Sequence, residues 1–190
     1  MPTKPGERKL QILQTLASML ENPKGEKITT AALAARLDVS EAALYRHFAS
    51  KAQMFEGLIE FIEQTLFGLV NKITSEEKSG VKQVEAILSM LLGFAKKNPG
   101  MTRVLIGDAL VNEDERLQAR INQLHDRLES TLKQALRFAA TEKEIEEGGD
   151  PGAQANLLLA FVVGRWHQFA KSGFRRDPTE HWASQWPALI

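Results

Sequence analysis

The apolar positions of this 190-residue chain recur at three- and four-residue spacing along most of its length, which predicts helices throughout and no strands. From Glu7 to Glu21 the repeat is Leu10, Leu13, Leu16, Ala17 and Leu20, ended by Asn22-Pro23-Lys24-Gly25. Two short helices follow, the first turning Leu33 and Leu37 inward and the second Leu44 and Phe48. A longer helix runs from Lys51 to about Lys72, with Phe55, Leu58, Ile59, Ile62, Leu66 and Leu69 or Val70 as its stripe. Residues 74–80 are a polar break. Val81 to Lys97 is the next helix, stopped by Lys96, Lys97, Asn98 and Pro99-Gly100, since cations followed by a proline end a helix. After a short segment, 101–110, Asn112 and Glu115 are expected to cap a long helix reaching about Ala140. Thr141 to Gly149 is an acidic loop. Asp150-Pro151 then opens another helix, with proline where its missing donor costs nothing. Trp182 and Trp186, four apart, predict a short helix packed back on the body. The fold class is all-α.

The stretch 29–51 carries the chemistry. Thr29 or Thr30 can cap the first short helix, and Ser40 the second, because their side-chain oxygens accept from otherwise orphan backbone N–H groups. Asp38 suits a backbone leaving the helix, since short polar side chains tolerate the left-handed region. This is a helix-turn-helix pattern. With Leu44 and Phe48 inward, a projection at about 100° per residue turns Ala42, Ala43 and Arg46 outward, with Tyr45 and His47 on the flanks. Small side chains let a helix sit deep in the major groove, where alanine meets a thymine methyl and arginine pairs with guanine. Tyr45 and His47 stand where the phosphate walls would be. Ser50 and Gln53 read as a capping box, and Lys51 lies in the first turn of the next helix, where a bound phosphate would offset the dipole's penalty on a cation. Lys4, Arg8 and Lys9 are candidates for further backbone contacts.

Composition adds constraints. The formal net charge is zero, yet residues 1–51 hold eight Lys/Arg against five acids, a small cationic excess where nucleic acid would be met. There is no cysteine, so neither a disulfide nor a thiolate metal site exists. No apolar run approaches the ~18 residues of a membrane span, and Gln11 and Gln14 interrupt any signal-peptide core. A soluble, cytoplasmic protein without membrane contact is expected. The four histidines, His47, His125, His167 and His181, are scattered, with no metal-ligand spacing, nucleophile elbow or phosphate-cradling glycine run around them. No cofactor, metal or catalysis is implied.

Ala155 to Trp166 is apolar nearly all round, and a helix of that kind is buried on more than one side. A second copy of the chain is the expected cover. Leu117, Ile121, Leu124 and Leu128 on one helix, and Leu158, Phe161, Val162 and Trp166 on the next, are the expected four-helix dimer interface. Residues 1–50 are then a DNA-binding domain and 51–190 a helical dimerisation and partner-binding domain. A symmetric dimer would read an inverted repeat in double-stranded DNA, with half-sites about one turn apart.

Leu44-Tyr45-Arg46-His47-Phe48-Ala49-Ser50-Lys51 closely resembles the signature of the TetR family of dimeric DNA-binding regulators. That implies a three-helix module on a helical body. Most members are repressors whose body encloses a small effector. The body motifs Leu58-Ile59-Glu60-Phe61-Ile62-Glu63, Gly93-Phe94 with Asn98-Pro99-Gly100, Arg116-Leu117-Gln118, Arg120-Ile121-Asn122-Gln123-Leu124 and Trp186-Pro187 resemble the family's nucleoid-occlusion members. This second resemblance implies a nucleoid-associated protein that, when DNA-bound, antagonises assembly of the tubulin-like division protein FtsZ. It assigns the FtsZ tail to positions Phe61, Gly93, Lys97 and Asn98, with Leu69 standing where a basic residue is expected. The missing side chain at Gly93 is expected to open a shallow groove there. A body filled by apolar side chains favours this reading, and a roomy cavity with convergent polar groups favours an effector.

Overall fold

The computed structural model describes residues 5–22, 28–146 and 148–190, and among them every regular element is helical. The elements are α1 (Pro5–Met19), α2 (Thr30–Arg36), α3 (Glu41–Tyr45), α4 (Lys51–Glu76), α5 (Gly80–Lys97), α6 (Pro99–Leu105), α7 (Glu115–Thr141), α8 (Pro151–Lys171) and α9 (Trp182–Gln185). Short 3₁₀ turns lie at Asp108–Leu110 and Trp186–Ala188. The chain divides into two compact units, residues 1–62 with 98–121, and residues 63–97 with 122–190. The first therefore contains α1 to α3, the start of α4, α6 and the start of α7. Lys4 and the expected α1 stop at Pro23-Lys24-Gly25 fall outside the described residues.

The first unit is built on Ile12, Leu16, Leu20, Leu33, Leu44, Phe48, Met54, Phe55, Leu58, Ile59 and Ile62, all buried. Two glycines permit close approaches. A Cβ on Gly100 would stand 2.0 Å from the Ala17 carbonyl oxygen, so α6 meets α1 backbone to backbone. A Cβ on Gly57 would press at 3.0 Å on the Phe48 ring. Arg103 then spans from α6 to the end of α1, donating to the Leu20 carbonyl at 3.2 Å while paired with Asp108 at 2.7 Å. Orphan carbonyls at a helix C-terminus require such a donor.

The second unit packs α5 against α8 around Leu88, Leu91, Leu92, Leu158, Val162 and Trp166. The buried indole N–H of Trp166 donates to the Leu91 carbonyl at 3.1 Å, which meets the requirement that a buried polar group be paired. The acidic loop after α7 contributes to the fold through Glu144. Its Oε2 accepts from the Val81 N–H and the Ser79 hydroxyl, both at 2.9 Å, and so caps α5.

Three sequence expectations are corrected. The cap of α7 is Asp114, whose Oδ1 accepts from the Arg116 N–H at 3.1 Å, whereas Asn112 turns the chain in the left-handed region at φ 67°. α4 continues to Glu76 rather than ending near Lys72, and Leu69 is 41% exposed while Val70 is core. The largest correction concerns the dimer surface. Leu117, Ile121, Leu124, Leu128, Leu158, Val162 and Trp166 are all fully buried within a single chain, and Phe161 is half-buried. They are core. α8 is apolar on two faces, and its own unit covers the one holding Leu158, Val162 and Trp166. The face left outside carries Leu157, 53% exposed, with Ala160 and Gly164.

Candidate nucleic-acid interface

The helix-turn-helix is set by local bonds. Thr29 caps α2, its Oγ1 accepting from the Ala32 N–H at 3.1 Å, and Ser40 caps α3, its Oγ accepting from the Ala43 N–H at 3.3 Å. Between them α2 closes with the Val39 N–H donating to the Ala34 carbonyl and the Asp38 N–H to that of Ala35, with Asp38 at φ 55°. This is the paired-bond helix stop that usually takes glycine. Regular helix in α3 ends at Tyr45, but Arg46 keeps helical angles and the Phe48 N–H still donates to the Leu44 carbonyl at 3.1 Å. The 100° projection therefore holds to Phe48. Leu44 and Phe48 are buried; Ala42, Tyr45 and Arg46 are exposed; Ala43 and His47 are half-exposed.

Thr30, the other cap candidate, does something different. Its hydroxyl donates to Glu41 Oε2 at 2.5 Å, and the Tyr45 hydroxyl donates to Thr30 Oγ1 at 3.5 Å. Sequence reasoning left Glu41 out, although a carboxylate in the first turn of the exposed helix was a visible signal. The capping box before α4 forms as expected on the Ser50 side, the Gln53 N–H donating to Ser50 Oγ at 3.2 Å, while the return bond is shifted by one residue, Gln53 Oε1 accepting from the Ala49 N–H at 2.9 Å. Lys51 is not waiting for a phosphate alone. Its ammonium pairs with Glu113 at 2.5 Å, so the cation's penalty at the N-terminus of α4 is already offset within the chain. Lys9 lies 5.6 Å from the centre of the Phe48 ring, and Arg8 donates to Gln11 at 2.5 Å.

Of the positions assigned to the FtsZ tail, Phe61 and Asn98 belong to the first unit and Gly93 and Lys97 to the second. Phe61, Gly93 and Asn98 are half-buried, and Lys97 is exposed. A Cβ on Gly93 would meet nothing within 4 Å, so packing inside the chain does not require glycine there. Lys96 is committed to Asp177 at 2.6 Å. The Lys96 ammonium, and after it the Thr179 hydroxyl, lower the Asp177 carboxyl to about 2. The interior of the second unit is largely apolar among the described residues; its buried polar atoms include the amide of Gln83, which donates to the Glu77 carbonyl at 2.8 Å, the Trp166 indole N–H, His125 Nε2 and Gln185 Oε1.

The fold and its exposed helix pair define a class, the all-helical DNA-binding proteins of TetR type. Residues 26–58 match the model of bacterial regulatory proteins of the tetR family, and residues 78–190 match a tetracyclin repressor-like C-terminal domain of SlmA-like type. A solved TetR-family transcriptional regulator from Agrobacterium tumefaciens superposes with a TM-score of 0.82 at 16% identity, covering 98% of this chain and 97% of that one. The chain is also 54% identical over 186 residues to the nucleoid occlusion factor SlmA of Alteromonas mediterranea, covering 96% of this chain and 93% of the relative. It is 52% identical over 182 residues to the SlmA of Idiomarina loihiensis, with the same coverage. The chain belongs to the TetR family and, within it, to the nucleoid occlusion factors SlmA. It is a helix-turn-helix DNA-binding protein and not an enzyme. No helix of the described residues is long and apolar enough to cross a membrane.

Proposed function

We propose that the chain binds inverted-repeat sites in chromosomal duplex DNA as a homodimer and, once bound, blocks FtsZ assembly over the nucleoid. The observation that carries this reading is identity above 50% along almost the whole chain to nucleoid occlusion factors, body included. Thr29, Thr30, Ser40, Ala42, Ala43, Tyr45, Arg46, His47 and Lys51 are the DNA contacts, Thr30 and Lys51 being held by Glu41 and Glu113 in the free protein. The outer face of α8, with Leu157, Ala160 and Gly164, is the self-pairing surface, since small residues let two helices approach closely and the core residues first considered are already covered. Gly93 and Lys97 of the second unit are contacts for the FtsZ tail, with Phe61 and Asn98 of the first unit as further candidates carried by the resemblance; the open space at Gly93 supports its role, because glycine costs a helix about 1 kcal/mol and packing gives no return for it. The body's apolar filling speaks against a polar effector site.

The test is polymerisation of purified FtsZ followed by light scattering. Inhibition is expected when this protein and a duplex selected for binding to it are both present, and little with either alone. Full assembly in the presence of both leaves the effector-released repressor as the better reading.

A further inference from the structure

We propose that Glu41 is a base-reading residue that also governs when the Thr30 hydroxyl becomes available to phosphate; this rests on the DNA-binding reading above. The three side chains form a directed relay. The Tyr45 hydroxyl donates to Thr30 Oγ1, and the Thr30 hydroxyl donates to Glu41 Oε2. A hydroxyl carries one proton, so in the free protein both protons point inward along the relay. Phosphate oxygens accept and do not donate. At 2.5 Å the Thr30 proton is committed, and the Thr30 hydroxyl bonds no phosphate until the carboxylate lets go; the Tyr45 hydroxyl, 3.5 Å from Thr30 Oγ1, is held only loosely and can turn outward.

Glu41 has a reason to let go on the right sequence only. It is an exposed carboxylate on the surface that faces a polyanion, and among the described residues no cation pairs with it. It lies in the first turn of α3, and the N-terminal residues of a recognition helix are those that meet base edges. Its neighbours Ala42 and Ala43 are small and leave the groove floor within reach. A carboxylate there accepts from the exocyclic amine of cytosine. On a cognate half-site Glu41 moves to that amine, and the freed Thr30 hydroxyl donates to the phosphate wall. On other sequences it stays on Thr30, that hydroxyl stays withheld and its charge repels the backbone. One residue thereby couples base reading to backbone grip.

The experiment is selection of the full chain on duplexes with a randomised core, run in parallel for wild type, Glu41→Gln and Glu41→Ala, with thermal melting as the check on folding. Wild type should enrich an inverted repeat with cytosine favoured about tenfold at one position of each half-site. Glutamine still accepts from Thr30 but pairs with adenine, so Glu41→Gln should move that preference from cytosine to adenine and leave the other positions alone. Glu41→Ala should erase it there, and both variants should bind unselected duplex several-fold more tightly. Unchanged base preferences in both variants, or a uniform loss of affinity in Glu41→Ala with the sequence pattern intact, would show Glu41 to be only a tie between α2 and α3. Failure of wild type to enrich any sequence would remove the DNA-binding reading itself, and the relay with it.

Discussion

Two glycines in helices of this protein have opposite reasons to be there. At Gly100 the backbone of α1 occupies the space a side chain would need, at 2.0 Å, and backbone cannot give way cheaply. At Gly93 the space is empty. Gly93→Ala should therefore raise thermal stability by about 0.5–1 kcal/mol, the ordinary helix-interior gain, while weakening FtsZ antagonism. Gly100→Ala should lower stability by about 1–3 kcal/mol, the usual cost of overpacking. Denaturant melts of the two variants check both signs. A loss of stability in Gly93→Ala would mean that its surroundings are tighter than they look. The same opposition of local and packing demands explains Asp38: φ 55° favours glycine, and aspartate is the next best tolerated residue there.

At the scale of elements, the turn after α8 is held by charged groups as well as by the packing of Phe174 on Phe169. Arg165 donates to the carbonyls of Asp177 at 2.8 Å, Pro178 at 3.2 Å and Glu180 at 2.9 Å, so one guanidinium organises the turn. The Asp177 carboxylate then ties it to Lys96 at the end of α5. Because Lys96 and Thr179 lower this carboxyl from 3.8 to about 2, the unfolded chain binds the extra proton between those values and the folded chain does not. Stability from the tie is present in full above about 4 and is lost as the pH falls toward 2. Melting temperature measured against pH should show this loss in wild type and a shallower slope in Asp177→Asn. An unchanged slope would mean that the ion pair does not persist in solution. Arg165→Lys should loosen the same turn, since an ammonium cannot reach three carbonyls in a fixed fork.

For the molecule as a whole, adjacent residues on α8 separate folding from self-association. Leu158 is fully buried and Leu157 is 53% exposed. Leu158→Ala should cost about 2–5 kcal/mol of folding stability, as core truncations do. Leu157→Glu should leave the melt nearly unchanged but shift the protein from dimer to monomer in sedimentation, and DNA affinity should drop with it, because one small module touches few bases. A Leu157→Glu variant that sediments as wild type would move the self-pairing surface elsewhere.

What the sequence determined alone was whatever depends on bonds spanning four or five residues. The helices other than α6 and their order, the cap at Ser40, the choice of Thr29 or Thr30 for the helix before it, the left-handed Asp38 and the inward pair Leu44 and Phe48 are all of that kind. What only the tertiary structure decided involves partners far along the chain. Lys51 finds Glu113, Glu144 caps a helix 63 residues before it, and Thr30 reaches Glu41 instead of capping its own helix. The dimer surface was misread for the same reason. Periodicity states that a helix is apolar on two sides, but which side its own chain covers depends on packing between helices, and that packing buried Leu158, Val162 and Trp166 and left Leu157 outside.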